Sequence, residues 1–192
     1  WGGTVQYEAY FIMRWLGGVG GDKCGGGWFD WLGTTERTYA EQARQTILGG
    51  ARESLLFCYG GLQRDTGPKN VATLRQHLPE LFAVARQVRT RQPVGIAACK
   101  PPNSHAGNEP RVFDFVGMLG LPLVPTHWFP TDAAAAFFSV HALKDPEFRG
   151  KLRQYFESGR TVLLTDGLAR QLGADLPNDP KHVYVIEVKG DP

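Results

Sequence analysis

The sequence predicts an α/β fold in which the C-terminal half of the chain forms a doubly wound parallel sheet. Two observations lead to this prediction. After Pro93, short apolar segments alternate regularly with helical patterns. Before Pro93, a helix with clear start and stop signals leads into a nearly continuous apolar strand, and a long helical pattern follows. Continuous apolar runs of this kind are typical of parallel strands that are covered on both faces.

The first stretch, 5–15, is apolar and aromatic and carries one carboxylate, Glu8. The glycine-rich segment 16–33 follows it. We expect a flexible loop there, because the segment lacks the preceding strand and the following Lys-Ser/Thr pair of a phosphate-binding loop.

The first helix is expected to start at Thr38, where Thr38 and Glu41 can form a capping box, and to stop at Gly49 and Gly50. The apolar run 54–59 then predicts a strand.

A second helix is expected over 70–91, with Pro79 as a kink or break. Further strands are expected at 94–99, 121–127, 136–142, 161–166 and 183–188. Helical segments are expected between them at 111–120, 145–159 and 167–173. This order is that of a flavodoxin-type sheet, so we expect two domains, 1–92 and 93–192.

The bulk composition is that of an ordinary globular protein, with 42% hydrophobic residues, 21% charged residues and a formal net charge of +2. We expect no nucleic-acid partner, because no run of basic residues is present. We expect no membrane partner either, because no apolar run approaches the roughly 20 residues of a membrane span.

The cysteines point to a reducing compartment. Cys24, Cys58 and Cys99 are far apart and lack C-x-x-C spacing, so neither a disulfide scaffold nor a zinc ribbon is indicated. No signal peptide is visible after Trp1, which favours the cytoplasm. No cofactor is expected.

Two segments resemble a known family. The order "YEAY…W…TYAEQARQTILGGARESLLFCYGG" resembles the end of the catalytic barrel in glycoside hydrolase family 42 β-galactosidases and related clan A enzymes. "FFSVHALKD…ESGRTVLLTDG" resembles the flavodoxin-like, glutamine-amidotransferase-like trimerisation domain that follows that barrel. The resemblance implies that 1–92 is the remnant of a (β/α)8 barrel, that the chain is the C-terminal part of a β-galactosidase-like protein, and that it forms homo-oligomers.

The resemblance also implies site residues. It places Glu8 on a strand, at the position of the catalytic nucleophile, and makes Cys58 a strand residue rather than a nucleophile. Glycoside hydrolysis needs a second carboxylate as the acid, and the family's acid/base has no counterpart here. We therefore expect weak or no autonomous activity, with Asp30 of a neighbouring chain as the most plausible second carboxylate.

Aromatic residues near Asp30 suggest a carbohydrate platform. Trp28, Asp30 and Trp31 lie in "GWFDW", and Tyr59 follows the apolar strand. Aromatic faces can stack on pyranose rings while a carboxylate accepts hydrogen bonds from sugar hydroxyls. The same aromatic residues could instead pack beneath a glycine-rich loop.

A second polar cluster is expected at the ends of the later strands, where ligands bind in open α/β sheets. Its members are Ser104, His105, Glu109, His127 and His141. They could form a hydrolytic site, with Ser104, Ser139 or Cys99 as the nucleophile, or a metal site from the three histidines and Glu109. Neither site carries a motif, and a solvated loop with strand-end histidines is the third interpretation.

Three functions therefore remain open from the sequence, and whether the chain is an enzyme is left undecided. The first is glycoside hydrolysis. The second is a non-catalytic oligomerisation or carbohydrate-binding module. The third is ester or amide hydrolysis by the polar cluster.

Overall fold

The structure, a computed structural model, describes residues 7–187. The chain forms two compact units that divide between Pro93 and Val94. The elements of the first unit are α1 (Glu8–Gly20), β1 (Gly26–Asp30), α2 (Glu36–Leu48), β2 (Glu53–Phe57), α3 (Tyr59–Leu62) and α4 (Gly67–Thr90). Those of the second are β3 (Ile96–Cys99), α5 (Val112–Met118), β4 (Leu123–Thr126), β5 (Ala135–Phe138), α6 (Phe148–Glu157), β6 (Thr161–Thr165), α7 (Asp166–Leu172) and β7 (Val183–Ile186).

The first unit contains a two-stranded parallel sheet. Gly26 lies opposite Glu53, and Asp30 lies opposite Phe57. Its apolar core is not on the sheet but between α2 and α4, and consists of Tyr39, Ala43, Leu74 and Leu81. All five residues of β2 are exposed, so the expectation that this apolar strand is covered on both faces is wrong. The helices therefore carry the packing of this unit.

Residues 8–15 belong to helix α1, so the prediction from the resemblance that Glu8 lies on a strand is wrong. Glu8 occupies the first turn of α1. A carboxylate is favourable there because it complements the partial positive charge of a helix N-terminus. The helix also continues into the glycine-rich segment as far as Gly20.

The rest of the glycine-rich segment is not a plain loop, because it contains β1. A side chain at Gly26 would collide with the backbone of Glu53 on the neighbouring strand. A Cβ at Gly27 would lie 2.6 Å from Sδ of Met13 in α1. These two glycines permit close packing, a role that glycine content alone does not distinguish from flexibility.

The two long helices of the first unit differ slightly from expectation. The capping box of α2 joins Thr35 and Thr38, with Thr38 N donating to Thr35 Oγ1 at 3.3 Å and Thr35 N to Thr38 Oγ1 at 2.9 Å. The helix therefore starts three residues before the predicted Thr38–Glu41 cap. The α4 helix passes through Pro79 without a break.

The second unit confirms the predicted α/β, flavodoxin-like fold. Its five strands are all parallel, in the order β4-β3-β5-β6-β7. The central strands are buried, and the core cluster of this unit includes Phe138, Phe148 and Leu164. None of the helices in the described range 7–187 is long and apolar enough to cross a membrane.

The strand predicted at 136–142 is shorter than expected. β5 ends at Phe138, and Val140–Lys144 form a 3-10 turn. This turn carries His141 at the carboxyl end of the sheet.

Candidate functional site

Asp30 lies at the carboxyl end of β1, and its backbone is fixed by a helix. The amide of Gln42 in α2 accepts a hydrogen bond from Asp30 N at 3.2 Å and donates one to Asp30 O at 3.0 Å. The carboxylate itself accepts a hydrogen bond from Leu32 N at 3.0 Å. Three hydrogen bonds therefore hold Asp30 at the carboxyl end of a parallel strand, the end at which ligands bind in α/β proteins.

Asp30 shares one face of the sheet with exposed apolar side chains. Residues two apart on a strand, and their partners in register, point to the same side. This places Trp28, Asp30, Leu55 and Phe57 on one face, which we call the open face. The Trp28 and Phe57 rings pack edge to face, with their centroids 4.3 Å apart, and Trp28 is 58% exposed. The open face therefore combines an aromatic surface with a carboxylate.

The other two predicted platform residues differ in their surroundings. Trp31 packs against the core between α2 and α4, and its ring covers Gly61 so closely that a side chain at Gly61 would collide with it. Tyr59 begins α3, directly beyond the end of β2, and is 77% exposed. Tyr59 is therefore accessible to a ligand, whereas the packing gives Trp31 a structural role.

A buried tyrosine, Tyr39, lies close to Asp30, and the sequence did not predict this proximity. Tyr39 is completely buried, and burial together with the nearby Asp30 charge raises its pKa to about 12. The phenol therefore stays neutral throughout the physiological range. Only the helical spacing of Tyr39, Gln42 and Ala43 after β1 could have indicated that α2 packs against the site.

In the second unit, the structure brings together three of the predicted polar residues. Ser104 Oγ lies 2.8 Å from His141 Nδ1. Glu109 is buried, and its Oε2 accepts hydrogen bonds from Val140 N at 3.1 Å and from Thr165 Oγ1 at 2.9 Å. Thr165 was not identified from the sequence, because it lies 56 residues away from Glu109 along the chain.

The remaining histidines of that prediction have other contacts. His105 is exposed, and its Nδ1 accepts a hydrogen bond from Gly107 N at 3.0 Å. The His127 ring packs edge to face against the Trp128 ring, with the two centroids 4.1 Å apart. Among residues 7–187, no three His, Cys, Asp or Glu side chains are placed to hold a metal ion, so the metal centre considered from the sequence is not formed there.

The charge states in this cluster follow from burial. Burial, and then the nearby positive charges of Lys100 and His105, lower the pKa of His141 to about 4. Burial also raises the pKa of the Cys99 thiol to about 12. At neutral pH His141 is therefore an uncharged imidazole, and Cys99 is a protonated thiol that is a poor nucleophile.

Comparison with known proteins identifies the family. A family model described as "Probable glycosyl hydrolase, catalytic domain" matches residues 2–101, slightly more than half of the 192 residues. No curated protein and no solved structure matches the chain. The matched span contains all of the first unit except its first residue, including Asp30 and the open face, and it continues through β3. The chain therefore belongs to the family of probable glycosyl hydrolase catalytic domains.

Proposed function

We propose that the chain acts in glycoside hydrolysis and that Asp30 is its carboxylate nucleophile. The observation that supports this most is the position of Asp30, which ends a parallel strand and shares an open face with Trp28 and Phe57. In (β/α) barrel enzymes, catalytic residues stand at the carboxyl ends of the strands. The family match covers this strand, which supports a role for its carboxylate in glycoside hydrolysis.

The open face suits a sugar. The exposed ring of Trp28 can stack on a pyranose, and Tyr59 offers a second exposed ring beyond β2. The Asp30 carboxylate accepts one hydrogen bond from Leu32 N through Oδ1, which leaves the lone pairs of its other oxygen for the substrate. The earlier resemblance to family 42 favours β-galactosides as the first substrates to test.

Activity is expected to be weak. Hydrolysis also needs an acid that protonates the departing oxygen, and we assign no residue of this chain to that role. General acid catalysis typically contributes about 10²- to 10⁴-fold in rate. Substrates with acidic leaving groups, such as nitrophenyl glycosides, depend on it least. A second carboxylate could also come from a neighbouring chain.

The test is a panel of nitrophenyl glycosides with wild type, Asp30→Asn and Asp22→Asn. Asparagine retains the oxygen that accepts from Leu32 N, so the first variant removes charge while keeping that hydrogen bond. Asp22 is an exposed carboxylate of the same unit, paired with Arg52 at 2.6 Å, and serves as the matched control. We expect turnover to fall at least about 100-fold in Asp30→Asn and to persist in Asp22→Asn.

The same assay tests the assignment of Glu8. If Glu8→Gln abolishes turnover while Asp30→Asn retains it, the nucleophile is Glu8 and our assignment is wrong. Cys58→Ser should leave turnover nearly intact, because no step uses that thiol. Equal turnover in all variants would place the activity elsewhere.

A second candidate function is a non-catalytic oligomerisation or carbohydrate-binding module. The exposure of β2 favours it, because Leu55, Leu56 and Phe57 are 68%, 39% and 42% exposed. A two-stranded sheet with an uncovered apolar surface is not stable by itself in water and favours association. Multi-angle light scattering should then show oligomers, while the glycoside panel shows no turnover. A strict monomer at high concentration would contradict the oligomerisation role, and a monomer that also binds no carbohydrate would contradict both.

A further inference from the structure

The second unit holds a serine–histidine pair at the point where its sheet reverses direction. β3 has β4 on one side and β5 on the other, and the chain proceeds outward from β5. In open α/β sheets, ligands bind beyond the carboxyl ends of the strands at such a switch point. Ser104 lies in the connection after β3, and His141 in the 3-10 turn after β5, with Oγ and Nδ1 2.8 Å apart.

The imidazole is fixed from several sides. His141 is only 4% exposed, and its ring centroid lies 5.5 Å from that of Phe113. The preceding residue, Val140, donates its N–H to Glu109, which is also bonded to Thr165. The carboxylate of Glu109 lies against Gly167, where any side chain on residue 167 would collide with it. The turn that carries His141 is therefore anchored to β6 and to the start of α7.

The two ring nitrogens have different surroundings. Nδ1 faces Ser104, whose side chain is partly exposed. Nε2 is buried and has no hydrogen-bond partner among the described residues. Because the low pKa keeps the ring neutral near pH 7, one nitrogen carries a proton and the other can accept one. Nδ1 can therefore exchange a proton with the hydroxyl of Ser104, which is partly exposed to solvent.

We propose that Ser104 is an acyl-accepting nucleophile for activated carboxylic esters, with His141 Nδ1 as its base. In this step the Ser104 Oγ–C bond forms as the ester C–O bond to the leaving group breaks. The Oγ proton passes to Nδ1 and from there to the departing oxygen, so the products are an acyl-serine and a free alcohol or phenol. No cofactor or oxidant is required.

The surroundings of His141 favour acylation of Ser104 over the later hydrolysis of the acyl-serine. A base of low pKa removes a proton slowly, so only esters with good leaving groups, such as aryl esters, react readily. Hydrolysis of the acyl-serine would need the same weak base to activate water. Ser104 therefore acquires an acyl group faster than it loses one, and each chain releases about one equivalent of phenol before the reaction slows.

The experiment uses the whole chain with p-nitrophenyl acetate and follows acetylation by mass spectrometry. The variants are Ser104→Ala and, as the matched control, Ser158→Ala, whose hydroxyl donates to Tyr155 O at 2.7 Å after α6. We expect acetylation of the peptide that contains Ser104, a loss of at least about 100-fold in Ser104→Ala, and no change in Ser158→Ala. Acetylation of Lys100 or another residue at an unchanged rate in Ser104→Ala would overturn the proposal.

The pH profile tests the role of His141 without a buried substitution. Since His141 is already neutral above about pH 5, the acetylation rate of Ser104 should stay nearly constant between about pH 5.5 and 8. A rate that rises in proportion to hydroxide, or around an ordinary histidine pKa, would show that this imidazole is not the base.

This proposal and the glycosidase proposal can fail separately. Asp30→Asn should leave acetylation of Ser104 unchanged, and Ser104→Ala should leave glycoside turnover unchanged. If Ser104→Ala also abolishes glycoside turnover, Ser104 does not have the independent role proposed here.

Discussion

The two units use their parallel sheets in opposite ways. In the second unit, the sheet is the core: Ala136, Phe137, Phe138, Val162 and Leu164 are completely buried. In the first unit, the sheet is a surface: every residue of β2 is exposed, and the core lies between two helices. A buried sheet gives stability, whereas an exposed sheet face leaves side chains available to a ligand or to another protein surface.

The strongest test of this contrast compares one apolar residue from each sheet. Phe137→Ala in β5 should lower the free energy of unfolding by about 3 to 5 kcal/mol, because it leaves a cavity beside Phe113. Leu55→Ala in β2 should change it by about 0.5 kcal/mol or less, since this side chain is 68% exposed. Hydrogen exchange measured by mass spectrometry would follow each unit separately. Equal losses would mean that β2 is covered in solution.

Mild acid should lower the free energy of unfolding of the second unit, whose sheet is buried, through protonation of His141. The folded pKa of His141, about 4, lies below its unfolded value of 6.5 because of burial and the charges of Lys100 and His105. Between about pH 4 and 6.5 the unfolded state therefore binds more protons than the folded state. The resulting stability is fully present above pH 6.5 and is lost as the pH falls towards 4, by up to about 3 kcal/mol.

Urea unfolding at several pH values, with wild type, His141→Asn and His77→Asn, would measure this effect. His77 lies on the surface of the first unit beside Glu80, at 3.3 Å. We expect His141→Asn to flatten the pH dependence of the second unit and His77→Asn to preserve it. If wild type and His141→Asn have the same profile, His141 is not the titrating group.

The smallest expected effect concerns the glycines of the first unit. Gly26→Ala should destabilise it by about 1 to 3 kcal/mol, because the added methyl group would collide with Glu53 in the neighbouring strand. Gly17→Ala, in α1 with open space around it, should stabilise it by about 0.5 to 1 kcal/mol. Thermal unfolding measures both. Gain of stability in Gly26→Ala would show that β1 and β2 are not tightly paired.

The sequence predicted the second unit better than the first for a physical reason. Strands covered on both faces, such as β5 and β6, are continuous apolar runs, and a sheet of such strands leaves a clear pattern. β1 has the opposite pattern: "GGWFD" begins with glycines that are needed for close packing, so glycine content indicated a loop. Glu8 was misplaced because its apolar neighbours fit a helix as well as a strand.

The candidate sites were predictable only in part. Asp30 and Trp28 were visible because they are close together in the sequence, and Ser104 and His141 because both follow strands of one sheet. Gln42 and Thr165 were not, since each reaches its partner from a different element. The burial that sets the pKa of His141 is likewise a property of the folded chain, and no motif encodes it.

The hydrogen bonds between Gln42 and Asp30 have a further consequence for strand addition. The Gln42 side-chain amide accepts a hydrogen bond from Asp30 N and donates one to Asp30 O, and so makes the two bonds that the C=O and N–H of an opposite residue in an added antiparallel strand would make. The Gln42 side chain therefore occupies the backbone N–H and C=O of Asp30, which a neighbouring strand would otherwise use. Another strand that added to the outer edge of β1 would find these backbone groups occupied, so its pairing must stop short of Asp30. The carboxylate would then stand clear of any added strand.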